Sequence, residues 1–169
     1  MTPFVVAIIL SAALLHAVWN AIVKTAADRT TTLGLVALGH VIPGAVMVAY
    51  LPLPELESLV YVALSTLIHF GYFYMLGQAY RHGDLSVVYP IARGVVPALV
   101  ALWAMVFAGE FLPLQAWFGI GLIGLGIQLS SWQALKSGVG STALRYALGT
   151  GVCISLYSLV DGLGVRLSG

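Results

Sequence analysis

Charge is what this sequence lacks most. Lys and Arg number 7 and Asp and Glu 6 in 169 residues, so charged side chains are 8% of the chain, against about 25% in soluble domains. A water-soluble fold of this length needs a polar skin, and so few charges cannot supply one. The same scarcity excludes a charge-rich coiled coil, and the high apolar content excludes disorder. A net charge of +1 leaves no basic face for nucleic acid. Cysteine is nearly missing too. Cys153 stands alone, which excludes an intramolecular disulfide framework and any cysteine-cluster metal site. What the chain has in abundance is apolar surface: 60% of its residues are hydrophobic and the mean hydropathy is +1.01. The class that remains is an integral membrane protein.

A helix needs about 20 apolar residues to cross the hydrocarbon core. Six stretches qualify: Pro3 to Ala26, Leu33 to Leu51, Leu59 to Tyr80, Leu85 to Ala108, Leu112 to Leu129, and Ala143 to Val160. Membrane strands are shorter and alternate in polarity, which these segments do not. The expected fold is an all-α polytopic bundle of six transmembrane helices. The punctuation agrees. Thr2-Pro3 sets a capping residue before a proline at the first helical position. Leu51-Pro52-Leu53-Pro54 stops the second span, and Arg81-His82-Gly83 ends the third. Asp84 or Ser86 then offers the next cap, and Gly109-Glu110 makes a tight turn before the fifth span. The loops are short, so neighbouring helices should run antiparallel.

Lys24 and Arg29 flank the first loop, Arg81 lies on the third, and Lys136 and Arg145 on the fifth; the second carries Glu55 and Glu57, the fourth Glu110. The positive-inside rule therefore puts the odd-numbered loops in the cytoplasm and the amino terminus outside. The first segment is not a cleaved signal peptide: it has no basic start and holds His16, Trp19, Asn20 and Lys24 in its far half.

An ionisable group inside a spanning helix costs a few kcal/mol and asks for a reason. Three groups stand out. In the first span His16, Asn20 and Lys24 follow an i, i+4, i+8 spacing, with Trp19 beside them. They form a polar stripe that could line a solute cavity, or Lys24 snorkels to the interface and Asn20 bonds a neighbouring helix. In the fourth span Tyr89, Arg93 and Pro97 share a face, and Pro90 and Pro97 each remove a backbone hydrogen bond, so this helix should be kinked. Arg93 is permanently charged and too deep to snorkel easily. It must meet a wet cavity, an anionic group of a solute, or a structural partner such as Asp84, Glu110 or a carbonyl. In the third span Ser65, His69 and Tyr72 share a face, as solute ligands or as aromatic packing. Asp161 in the sixth could pair with Lys24 or Arg93. The fifth span is different: Gly119, Gly121, Gly124 and Gly126 crowd an uncharged segment, which predicts tight packing against a neighbour or a second subunit.

Several chemistries are missing. The chain has no phosphate-binding loop, no His-Glu-x-x-His and no Gly-x-Ser-x-Gly. Nor does it carry paired aspartates in facing spans or a haem attachment motif, so neither an enzyme nor a cofactor is expected. The polar residues suit recognition of a small solute.

Val18-Trp19-Asn20 in the first span finds an echo in Leu156-Tyr157-Ser158 in the sixth, an aromatic followed by a small polar residue after five spans. An odd number of spans inverts the next unit. This divides the chain into a five-helix repeat, 1–135, and the loop and first helix of an inverted second repeat, 136–169. With His16-Ala17-Val18-Trp19-Asn20-Ala21 and Lys24, Gly77-Gln78-Ala79-Tyr80, Tyr89-Pro90-Ile91-Ala92-Arg93-Gly94 with Pro97, and the Gly109-Glu110 turn, the chain resembles the EamA-like branch of the drug/metabolite transporter superfamily. The resemblance implies a secondary transporter of two inverted five-helix halves that moves amino acids, other small metabolites or drugs, often outward. It implies residence in the cytoplasmic (inner) membrane of a prokaryote. It also implies a central cavity to which His16, Trp19, Asn20, Tyr89 and Arg93 contribute, joined on their own spacing by His69 and Tyr72.

The chain departs from that family pattern in two respects. It stops just past the sixth span, four helices short of the pattern, as a partial chain would; a homodimer could rebuild a pathway. Members often have both termini in the cytoplasm, whereas the Lys and Arg distribution here puts the amino terminus outside. Two other readings stand beside transport. A non-catalytic membrane subunit or scaffold would want a packing face like the fifth span. A lipid-modifying membrane enzyme would want clustered ionisable groups at one interface, which only His82 with Asp84, and Glu110 on the other side, approach.

Overall fold

The computed structural model describes the backbone of residues 2–51, 53–130, 132, 136 and 138–168 and, apart from residues 19, 20, 23, 24, 29, 30, 33, 128 and 130, their side chains. Every regular element among them is a helix. In chain order these are α1 (Pro3–Thr25), α2 (Arg29–Gly39), α3 (Val41–Tyr50), α4 (Leu56–His82), α5 (Leu85–Gly94), α6 (Val96–Ala108), α7 (Leu114–Ser130) and α8 (Ser141–Val165). Three stretches among the described residues are long and apolar enough to cross a membrane: α4, the α5–α6 run of 24 residues, and α8. Shorter apolar helical segments cover Pro3–Val18, Gly34–Tyr50 and Leu114–Ile127.

Two of the expected spans are broken, each at a proline. The stretch expected over Leu33 to Leu51 begins earlier, at Arg29, and divides at His40 into α2 and α3. Pro43 has no N–H to return to the Gly39 carbonyl, which frees that end. The fourth span divides at Val95, whose backbone stays near the helical region (φ −82°, ψ −19°). Pro97 cannot give the Arg93 carbonyl its usual helical donor, the Val95 N–H turns back to that carbonyl instead, and Pro90 lies inside α5. The helix ends follow their chemistry. The Asp84 carboxylate accepts from the Ser86 N–H at 2.7 Å and caps α5. The Thr2 hydroxyl accepts from Val5 N–H at the start of α1. Gly109 closes α6 in the left-handed region (φ 65°), and the Glu110 N–H reaches back to the Ala104 carbonyl at 3.1 Å.

The chain forms two compact units, Met1–Leu51 and Pro52–Gly169. In the first, α1 to α3 touch in sequence order and α3 buries none of its residues. The second is organised about α4 and α8, which run antiparallel in close contact: Gly83 lies by Ala143, Gly149 by Met75, Gly71 by Cys153 and Gly164 by Tyr61. On α4 the buried positions include Ser58, Ser65, Tyr72 and Ala79, a seven-residue repeat; on α8 they include Ala143, Ala147, Thr150 and Ile154, alternating four and three. That is the seam spacing of helices packed in a left-handed supercoil. Small residues on α8 bring the backbones close, the usual basis of helix association in lipid. The α5–α6 break lies against α8 at Gly151, and α7 lies on α5, where Ile127 approaches Gly94.

Among the described residues of this chain the four glycines of α7 make no tight contact with a neighbouring helix, the first of the two partners expected for them. A Cβ added at Gly119, Gly121, Gly124 or Gly126 would meet nothing within 4 Å. Close approach falls instead to Gly149, Gly151 and Gly164 of α8 and Gly94 of α5. Large apolar side chains elsewhere point outward, among them Phe4 (73% exposed), Phe70 (70%) and Phe118 (69%). So much exposed apolar surface has no place in water and suits lipid.

Candidate functional site

The polar side chains of α4, α5 and α8 meet inside the second unit. On α4 the His69 Nδ1 donates to the Ser65 carbonyl at 2.8 Å, one turn back, since a carbonyl can only accept. This fixes the ring orientation and leaves Nε2 as the other polar atom. The His69 ring stacks on Tyr157 of α8, with centroids 4.2 Å apart and planes 26° apart. Tyr72, one turn along α4, is 8% exposed and sets its edge toward both His69 (6.2 Å) and Tyr157 (5.9 Å). Arg93, at the end of α5, places its guanidinium 5.6 Å from the centre of the Tyr89 ring, one turn earlier, a cation–π distance. The guanidinium is an electrostatic neighbour of the Tyr72 and Tyr157 hydroxyls and lies within side-chain hydrogen-bonding reach of Tyr157. The charge of Asp161, one turn beyond Tyr157 on α8, is also felt at that hydroxyl.

Local structure explains the convergence. The i, i+4, i+7 spacing of Ser65, His69 and Tyr72 puts them on the face of α4 that packs on α8. The break at Val95 ends α5 at the level of Arg93, and the absence of a side chain at Gly151 lets α8 come within contact of the Ala92 carbonyl beside it. A further cross-helix bond holds the frame: Trp103 Nε1 of α6 donates to Ser155 Oγ of α8 at 3.0 Å. Ser155 in turn donates to the Val152 carbonyl at 2.8 Å.

Of the residues expected at a solute site, His69, Tyr72, Tyr89 and Arg93 are thus brought together. His16 is a partly exposed residue of α1 in the first unit. The Trp19 and Asn20 side chains lie outside the described residues, as does that of Lys24. Tyr157 is the member that the sequence reading missed. It matched Trp19 in the faint echo between the first and sixth spans, and that echo was the available signal. Of the structural partners weighed for Arg93, the two carboxylates have other contacts: Asp84 caps α5, and Glu110 pairs with Arg166 at the end of α8. Among the described residues no carboxylate forms an ion pair with Arg93, Asp161 included. His82 Nδ1 donates to the Gln78 carbonyl and its ring stacks on Tyr146. Among the described residues no three His, Cys, Asp or Glu side chains converge as a metal site would require.

The family model described as "EamA-like transporter family" matches residues 3–132. The chain belongs to the EamA-like transporter family. An EamA-like chain is a membrane transporter of the drug/metabolite superfamily, and the three long apolar helices and the lipid-suited exterior accord with it. No curated protein and no solved structure matches the chain.

Proposed function

We propose that this EamA-like chain acts in secondary transport, moving small metabolites such as amino acids or drugs outward across the cytoplasmic membrane. In this reading all six apolar stretches span the bilayer, and the solute binds near the midplane at the cluster of His69, Tyr72, Tyr89, Arg93 and Tyr157. The observation that carries it is the meeting of a permanent cation and three phenols inside membrane-length helices. A charge at the centre of a spanning helix costs about 2.5–3.5 kcal/mol on insertion scales, and solute recognition gives that cost a use. The two-piece fourth span supplies the freedom to rock.

The test is exchange of radiolabelled amino acids in inverted membrane vesicles carrying the protein. Solute accumulation that disappears in Arg93→Ala and weakens in Tyr89→Phe supports the reading. Accumulation at wild-type rates with Arg93→Ala in place refutes the site.

A further inference from the structure

We propose that the Arg93 cluster is a carboxylate site for small organic anions, with Tyr157 as a ligand beside Arg93. The inference rests on the transport reading for where the solute goes, and on the cluster itself for what binds.

The argument is a count of donors. A guanidinium carries five N–H donors and no acceptor, in a planar fork that matches the two oxygens of a carboxylate. Its side-chain contacts here are neutral, and the nearest carboxylate, Asp161, acts at Tyr157 without pairing with Arg93. The Tyr157 oxygen can accept from Arg93, and the Tyr89 ring offers its face. A phenol that accepts from Arg93 still has its own O–H to donate. Arg93 with the Tyr157 and Tyr72 hydroxyls brings seven N–H and O–H donors, against three phenol oxygens and the His69 Nε2 as the cluster's neutral side-chain acceptors. An anion corrects that imbalance and a cation worsens it. Charge-assisted bonds to a bidentate carboxylate are the strongest way to do so.

The nearby carboxylates leave this opening. Asp84 is committed to the α5 cap and Glu110 to Arg166. Asp161 is exposed, lies one turn along α8, and makes no ion pair with Arg93. Its negative charge opposes an incoming anion, so its removal should help binding. His69 acts as a positioning residue. With Nδ1 held by the Ser65 carbonyl and its ring on Tyr157, it keeps the phenol aimed beside Arg93.

Three probes of one shape and different charge test this: benzoate, benzamide and benzylammonium, titrated into purified protein in detergent and followed by tryptophan fluorescence and thermal unfolding. Benzoate is expected to bind saturably, and the other two at least about tenfold more weakly, the scale of one charged hydrogen bond. Arg93→Gln should abolish benzoate binding. Arg93→Lys keeps the charge, loses the fork and should weaken binding about tenfold. Tyr157→Phe should weaken it several-fold, and Asp161→Asn should strengthen it. Unchanged helical content by circular dichroism shows that these variants fold. Equal affinity for the three probes, preference for benzylammonium, no saturable benzoate binding, or weaker binding in Asp161→Asn each overturns the proposal. Loss of benzoate binding alongside Arg93-dependent exchange in vesicles sinks the carboxylate class and leaves transport standing. Benzoate binding as expected without any vesicle exchange does the reverse.

Discussion

Gly151 is where the packing of α8 can be tested most sharply. A Cβ at this position would lie 2.4 Å from Val95 Cγ2 and 2.7 Å from the Ala92 carbonyl oxygen. The valine can turn its side chain; the carbonyl is backbone and cannot. Carbon and carbonyl oxygen tolerate about 3.3–3.6 Å, so Gly151→Ala must push α8 off the α5–α6 break by about 0.6–0.9 Å. Overpacking of this kind costs about 1–3 kcal/mol, while replacing a helical glycine by alanine returns up to about 1 kcal/mol. The net loss should be about 0–2 kcal/mol, and the loss relative to a variant that has only the propensity gain about 1–3 kcal/mol. Gly121→Ala on α7 is the matched control, because its Cβ would meet nothing within 4 Å and it carries only the propensity gain. Both variants are followed by thermal unfolding in detergent, read by circular dichroism. The difference between them isolates the contact. If Gly151→Ala unfolds at or above the temperature of Gly121→Ala, the close approach of α8 to the break is wrong. Ala92 adjoins Arg93, so the same variant should also weaken solute binding.

The Trp103–Ser155 bond between α6 and α8 should show a coupling of about 0.6–1.7 kcal/mol, the range for hydrogen bonds between membrane helices. A double-mutant cycle of Trp103→Phe and Ser155→Ala measures it, and zero coupling refutes the bond. Gly109→Ala should cost about 1–2 kcal/mol from the left-handed backbone alone, because its Cβ would meet nothing within 4 Å; unfolding at the wild-type temperature would contradict that. Asp84→Ala should cost about 1 kcal/mol through the lost α5 cap, with Asp84→Asn recovering most of it in the same assay. The exposed Glu110–Arg166 pair should contribute less than about 1 kcal/mol, so Glu110→Gln should leave unfolding nearly unchanged at high salt.

Composition by itself fixed the class. So few charges on so much apolar surface cannot make a soluble fold, and the helical stretches and their caps followed from runs of apolar residues ended by proline, glycine and Asp84. The break in the fourth span was legible because proline removes a named backbone bond, and the face shared by Ser65, His69 and Tyr72 was legible from helical spacing. What the sequence could not reveal was which helix faces which. In a water-soluble helix the apolar stripe marks the core, but α4, α7 and α8 are apolar on nearly every side, because lipid outside is as oily as protein inside. The glycines of α7 therefore looked like a packing face, and only the fold showed that α8 holds the tight contacts through Gly149, Gly151 and Gly164. Tyr157 joined the site for the same reason. Its partners Arg93 and His69 are 64 and 88 residues away, and only the antiparallel seating of α8 on α4 brings them together.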